Sequence, residues 1–362
     1  MSGLWNFLLD ALQTGFRLFP WPTEPGLRPI GQPNRESPVL LTCNFDLTVR
    51  RLERALRGLD LWLVVAPSRG INVWCASSGG ILTTAQAVTA LKTCGVADKV
   101  NHKRVVLPQL AATGVESREL SRRSGWKARF GPVYAQDIPR YLASGGQKSD
   151  GMRRVRFGFR ERLEMAVAWA VPMSLAASAL AAWLQPSWVI PIDTMIVTLS
   201  LAVFLGIDRL PEPRRALAWL ITTPFSVAAV ALCGGGGVAL MAALVVHSVA
   251  LALLTFDYSG STPVEGGSHF AEKNWTITLD SERCEGIYTC WAVCPEACFE
   301  KVEGERRVEL AHDERCVKCG ACVVQCPEDA LFFSDRNGAS IPPSTIRRYK
   351  LNLLGSRKLR PA

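Results

Sequence analysis

The sequence predicts three folded parts: an α/β domain, an α-helical transmembrane domain and a small α+β domain rich in cysteine. Three observations carry this. Short apolar runs alternate with amphipathic ones from 37 to about 151, four long apolar stretches follow, and eight of the twelve cysteines fall between Cys284 and Cys326. The chain of 362 residues has room for two or three domains, and 48% hydrophobic with 20% charged residues is high for a wholly soluble protein. By segment, 1–36 reads as an amphipathic and Pro-rich N-terminal stretch, 37–152 as the α/β domain and 153–257 as four membrane helices. Then come a linker at 258–274, the cysteine-rich domain at 275–336 and a solvated basic tail at 337–362.

At the N-terminus Leu4, Trp5, Phe7, Leu8, Leu9, Ala11, Leu12 and Phe16 are spaced as one wide helical face, ended by Phe19-Pro20-Trp21-Pro22. An interfacial helix and a helix packed on its own domain fit this pattern equally. No basic residue precedes Arg17 and no cleavage site follows, which argues against a secretory signal. In the next part, strand-like runs at 39–42, 61–67, 104–110 and 126–133 alternate with helix-like ones at 47–59, 83–93, 116–124 and 136–143. That order predicts a mostly parallel sheet of βαβ units. Gly58, Gly95 and Gly125 stand where helix C-caps are expected. Between the second strand and its helix lies Gly70-Ile71-Asn72-Val73-Trp74-Cys75-Ala76-Ser77-Ser78-Gly79-Gly80, read as a loop of small residues around a lone cysteine. Ligands of such sheets gather beyond the carboxyl ends of the strands, and small residues let a bulky cofactor come close to the backbone.

Apolar stretches at 165–184, 189–207, 216–233 and 238–256 each have close to the ~20 residues that a helical span needs. Basic residues (Arg153, Arg154, Arg156, Arg160, Arg162) precede the first, and Arg209, Arg214 and Arg215 lie between the second and third. The other two loops have no Lys or Arg. The positive-inside rule then puts both flanking domains on the cytoplasmic side of the inner (cytoplasmic) membrane. Asp193 and His247 lie within spans, where an ionisable group is a functional candidate and an interhelical hydrogen bond is the simpler role. The net charge of +9 is concentrated beside the spans and at the C-terminus. It fits membrane lipid or an acidic partner, and no nucleic-acid motif is present.

Cys316-Val-Lys-Cys319-Gly-Ala-Cys322-Val-Val-Gln-Cys326-Pro327 is a complete C-x2-C-x2-C-x3-C-P run. Three such thiolates hold one iron–sulfur cluster and the fourth crosses to another, a pattern more specific than a zinc site and one that belongs in a reducing compartment. The partner run, Cys284-Glu-Gly-Ile287-Tyr-Thr-Cys290-Trp-Ala-Val-Cys294-Pro295, has Ile287 in place of the second cysteine. Crossing assigns Cys294, Cys316, Cys319 and Cys322 to one 4Fe-4S cluster and leaves Cys284, Cys290 and Cys326 for a second. The second is 3Fe-4S, or 4Fe-4S with Cys298 or a non-protein ligand as its fourth; Cys298 reads equally as a core thiol. The whole is a dicluster bacterial-type ferredoxin domain.

Cys75 itself can be a nucleophile, a metal ligand or a buried residue. Histidines are scarce (His102, His247, His269 and His312), only His102 lies in the α/β domain, and none stands in an Asp-x-His-x-x-Gly arrangement. A fused electron source adds weight to a cofactor role. Asn72-Val73-Trp74-Cys75-Ala76 resembles the cap-helix signature of the mercury-methylating corrinoid protein family (HgcA). Ser37-Pro38-Val39-Leu40, Arg57-Gly58-Leu59-Asp60, Leu107-Pro108-Gln109-Leu110, Gly131-Pro132-Val133 and Met152-Arg153-Arg154-Val155-Arg156-Phe157 resemble it too. The cysteine-rich domain resembles its ferredoxin partner (HgcB), so the chain resembles a fusion of the two from about 37 to 335.

The resemblance implies a Rossmann-like corrinoid-binding domain in which Asn72, Val73, Trp74, Cys75 and Ala76 contact a corrinoid (cobalamin) and the Cys75 thiolate holds cobalt. It implies methyl transfer to Hg(II) as substrate, with the clusters returning cobalt to Co(I) and the membrane part keeping the two domains close. A methyl-donor corrinoid or methyltetrahydrofolate-type methyltransferase and a low-potential electron donor would be its partners. Three departures stand out: Ser78-Gly79 where the family has Gly-Lys, four spans where it usually has five, and Ile287. A corrinoid methyl carrier with another acceptor, and a membrane-bound electron-transfer protein without methyltransferase activity, are the alternatives.

Overall fold

The computed structural model describes residues 2–211, 213–232, 236–261 and 275–349, and it divides into two compact units. Cys233, His269, the linker beyond residue 261 and the tail residues Lys350, Arg357, Lys358 and Arg360 lie outside the described residues.

One unit comprises 20–156 with the C-terminal part from 263 onward. Its first sheet contains β1 (Gly26–Ile30), β2 (Val39–Cys43), β3 (Leu61–Ala66), β4 (Arg104–Leu107) and β5 (Lys127–Phe130), in the order β1-β3-β2-β4-β5. Strands β2 to β5 are parallel, and β1 runs antiparallel to β3. The N-terminal stretch therefore ends near residue 19 rather than 36. Pro29 can sit in β1 because only one side of an edge strand needs backbone donors. The period of two in β3 sorts its side chains. Leu61, Leu63 and Val65 pack with Val49, Leu52 and Leu56 of the helix Asp46–Ala55, while Val64 and Ala66 face Ala87, Leu91 and Leu120 of the helices Thr84–Thr93 and Ser117–Ser124. With β3 on one side of β2 and β4 on the other, the chain changes direction at β2 and β4, and a crevice opens there at the carboxyl ends.

The cysteine-rich part has strands β6 (Trp275–Leu279), β7 (Phe299–Lys301), β8 (Val308–Leu310), β9 (Leu331–Asp335) and β10 (Ser340–Ile341) with short helices Thr289–Val293 and Ala321–Gln325. β9 pairs antiparallel with β6 and β10, and β7 with β8. It is an internal repeat: Gly286, Tyr288 and Ala297 have positive φ in the first half, and their counterparts Lys318, Gly320 and Asp329 in the second. At Gly286 the requirement is strict, since φ is +63° and a Cβ would lie 2.1 Å from the Arg306 carbonyl oxygen. The part runs past residue 336. Helix Pro343–Tyr349 buries Ile346, and Arg347 donates to the carbonyls of Val323 and Cys326 and pairs with Asp329, so this stretch is folded rather than a solvated tail.

The α/β and cysteine-rich parts are held together by their own packing. Val293, Val317, Cys319 and Ala321 are buried in the same cluster as Ala111, Ala112 and Val115, so the α/β and cysteine-rich parts share one core. Gln325 fastens it by donating to the Ala112 and Val115 carbonyls and accepting from Ser117 N and Oγ.

The other unit comprises 1–19 and 157–262. Four helices are long and apolar enough to cross a membrane, at Phe159–Leu184, Pro186–Arg209, Arg214–Leu232 and Gly237–Tyr258. Helix Ser2–Gly15 packs its C-terminal half on the first of these, with Gly15 against Val171 and Arg17 paired to Glu164, and exposes Leu4, Trp5, Phe7 and Leu8. Arg162 pairs with Asp208 and Trp169 donates to Asp257, joining the basic ends of three helices. His247 is fully buried, with Ser226 at Nδ1 and Thr222 and Thr223 at Nε2, and Asp193 accepts from Ser178. Both are satisfied interhelical hydrogen bonds.

Candidate functional site

Cys75 lies on a short helix, Val73–Ser78, not in a loop. Asn72 is its N-cap, accepting from Cys75 N at 3.0 Å, and its Nδ2 donates to Cys75 Sγ at 3.4 Å. Trp74 and Ala76 are buried in the sheet core, with Val73 half-buried against it, so they anchor the helix and leave Cys75 exposed. Asn44, at the carboxyl end of β2, sets the approach. Its Oδ1 accepts from Ser68 N, Ser68 Oγ and Gly70 N, and its Nδ2 donates to Thr23 O. The 3-10 turn Gln109–Thr113, beyond β4, supports the helix from beneath. Gly114 permits this, since a Cβ there would lie 2.8 Å from Ser77 O. Among the described residues, Ser77 Oγ and Thr113 Oγ1 are buried at this junction without a hydrogen-bond partner. His102 is remote from such chemistry; its Nε2 meets the Ser37 carbonyl.

The eight cysteines from Cys284 to Cys326 surround two cavities. One is lined by Cys294, Cys298, Cys316, Cys319 and Cys322 with apolar neighbours such as Ile277, Phe299 and Val317. The second is lined by Cys284, Cys290 and Cys326 with Ile287, Tyr288, Glu285 and Glu328. This is the crossed grouping expected from the spacing. Cys298 lies on the first cavity, so it is not in reach as a fourth ligand for the three-thiol group. Its thiol hydrogen-bonds to Cys294 and Cys316, while its N–H donates to Cys294 Sγ at 3.3 Å. Lys318 N donates to Cys316 Sγ at 3.4 Å. Burial pushes the Cys290 thiol up to about 12 and Cys322 well above its ordinary value. Metal binding to such a site must displace protons. The donor set of the first cavity, soft sulfur among apolar side chains with backbone N–H groups aimed at it, fits an iron–sulfur cluster.

The first cavity is the inner one. Gln109 donates to the Cys294 carbonyl at 3.3 Å and to Arg153 O at 2.6 Å, and Lys148 donates to Gln109 Oε1 and Ala292 O. Burial, then the charge of Arg153, brings Lys148 down to about 7. The turn Gln109–Thr113 thus touches the Cys75 helix on one side and both cysteine-bearing helices on the other. Asn44, Gln109, Lys148, Arg153 and Gln325 carry no motif. Gln109, Arg153 and Gln325 fall inside stretches singled out in the sequence, and Asn44 and Lys148 do not.

Residues 10–142 match the family model described as CO dehydrogenase/acetyl-CoA synthase delta subunit, and 312–332 match that of the 4Fe-4S binding domain. The chain is 34% identical over 125 residues to acetyl-CoA decarbonylase/synthase complex subunit gamma of Archaeoglobus fulgidus, covering 34% of this chain and 26% of that one. The same subunit of Methanocaldococcus jannaschii is 32% identical over 131 residues (36% and 26%), and that of Methanosarcina acetivorans 35% over 127 (34% and 27%). The chain thus spans about a quarter of the length of these relatives. The similarity covers the α/β part with Cys75 and, separately, the second cysteine run.

Proposed function

We propose that the chain is a membrane-anchored, corrinoid-dependent methyl carrier that methylates Hg(II), with its cysteine-rich part supplying electrons. The observation that carries this is the exposed Cys75 thiol, presented on a capped helix at the carboxyl edge of a parallel sheet and sharing a supporting turn with the inner cysteine cavity. When bound, the corrinoid supplies a cobalt-held methyl group, and the clusters supply single low-potential electrons. Asn72 fixes the sulfur's direction and stabilises its anionic form by donating to it. Trp74 and Ala76 hold the helix rigid from the core side. Cys75, with Asn72 and Val73 beside it, would hold the corrinoid, and a soft thiolate suits a cofactor that would supply a methyl group to a soft electrophile. The orphaned hydroxyls of Ser77 and Thr113 would find partners in a ligand rich in amide groups. Cys294, Cys316, Cys319 and Cys322 would hold a 4Fe-4S cluster, and Cys284, Cys290 and Cys326 a second cluster with three protein ligands. Methyl groups and electrons would come from a methyltransferase and a low-potential donor on the cytoplasmic side.

A second acceptor is favoured by the gamma-subunit relatives: a component of an acetyl-CoA decarbonylase/synthase complex in place of mercury. Titration of the purified chain with methylcobalamin tests the cofactor, with an absorption change expected in wild type and lost in Cys75→Ala; no change in wild type leaves only an electron-transfer protein. Anaerobic assay of the reduced, corrinoid-loaded chain with Hg(II) tests the acceptor. Methyl transfer to other acceptors but never to mercury would exclude the first reading.

A further inference from the structure

Resting on the iron–sulfur reading of the inner cavity, we propose that Arg153, assisted by Lys148, is a positioning cation that raises the reduction potential of the inner cluster above that of the outer one. Arg153 looks in the sequence like one of the topogenic charges ahead of the first span, yet it is 5% exposed. Its Nε donates to Asp150 at 2.8 Å, a carboxylate whose side chain is 79% exposed. Its guanidinium lies over the Trp291 ring, 4.6 Å from the centroid, and Nη1 is buried with no hydrogen-bond partner among the described residues. The backbone follows the same path. Gln109 bridges Arg153 O and Cys294 O, and Val155 N donates to Pro295 O at 2.8 Å, so 153–155 runs alongside the ligand-bearing turn 294–295. Lys148 adds a second, half-buried amine on Ala292 O, charged in only part of the molecules at neutral pH.

A buried cation whose carboxylate partner sits in solvent is poorly compensated. Negative charge placed in the adjoining cavity supplies that compensation. Each electron delivered by the low-potential donor reduces the inner cluster by one and adds such charge, so the buried guanidinium, with the partly charged Lys148 beside it, favours the reduced form. The only carboxylate lining the inner cavity, Glu296, has Arg154 and Arg315 near it. The outer cavity is lined instead by Glu285 and Glu328 and by no cation. Arg347, which donates to the Cys326 carbonyl beside the outer cavity, is paired with Asp329 and Glu116, so it is compensated where Arg153 is not, and this difference sets the downhill direction of electron flow toward the Cys75 side.

The test is a redox titration of the full chain with both clusters reconstituted, followed by electron paramagnetic resonance. The outer signal is identified as the one that changes in Ile287→Cys. Arg153→Gln is expected to move the inner midpoint to more negative potential and leave the outer one in place, Arg153→Lys to restore it, and Lys148→Met to give a smaller shift of the same sign. Full iron and sulfide content with an unmoved inner midpoint, or equal shifts at both clusters, overturns the proposal. Should Arg153→Gln fail to assemble, Lys148→Met alone decides by the same criteria. A wild-type chain that takes up no cluster refutes the iron–sulfur reading instead.

Discussion

The two halves of the cysteine repeat share a backbone and differ in what covers them. Their positive-φ residues match one for one, and so do Cys284 with Cys316, Cys290 with Cys322 and Cys294 with Cys326. At the remaining ligand position, Cys319 is 8% exposed and packed in the core shared with the α/β part, whereas Ile287 is 48% exposed. The full complement of thiols is thus kept where the module meets the Cys75 side, and the missing one is on the side that faces out. An aliphatic side chain at the surface costs little, and Ile287 lines the outer cavity without supplying a thiol.

The sharpest way to break this contrast is at the matched pair. Cys319→Ala should lose the inner cluster, about half of the iron, together with thermal stability, because metal binding to such sites is folding free energy. Ile287→Cys should raise the iron content and alter the outer signal alone, with unfolding unchanged; equal stability effects from both variants would erase the inside–outside distinction. Next in size is Gln325→Ala. It leaves the Ala112 and Val115 carbonyls buried and unpaired, at roughly 1–3 kcal/mol each, which chemical denaturation would register as one weakened unit rather than two separate transitions. Gly286→Ala should cost at least about 1–2 kcal/mol through its left-handed backbone and the approach to Arg306, while Lys318→Gly at the matched position should gain less than about 1 kcal/mol. Cys75→Ala comes last: the thiol is exposed, so stability should stay within about 0.5 kcal/mol even as the response to methylcobalamin disappears.

Much of this arrangement was legible in the chain. Strands β2 to β5 and their helices follow the alternation of apolar and amphipathic runs, since both sheet faces are buried and the pattern is strong. The crossed cysteine grouping follows from spacing, because the C-x2-C-x2-C turn has one geometry. Strand β1 was missed because Arg28 and Pro29 are unusual in a strand and are tolerated only at an edge. The Cys75 helix looked like a loop, being short and made of small residues whose helical state depends on the Asn72 cap. The shared core, and with it Gln109, Lys148, Arg153 and Gln325, is invisible to local pattern: each contact joins positions about 140 to 210 residues apart. The side on which Cys298 falls depends on the same long-range folding.

The turn Gln109–Thr113 has a thermodynamic consequence. It is the common seat of the Cys75 helix and the two cysteine-bearing helices, so any ligand that tightens one contact is bound in part through the others. Such linkage is reciprocal. If iron in the inner cavity strengthens the hold on a corrinoid by some factor, the corrinoid must slow or weaken iron loss to the same equilibrium degree. A chelator competition run with and without cobalamin would therefore read the coupling between the two ends of the chain from either side.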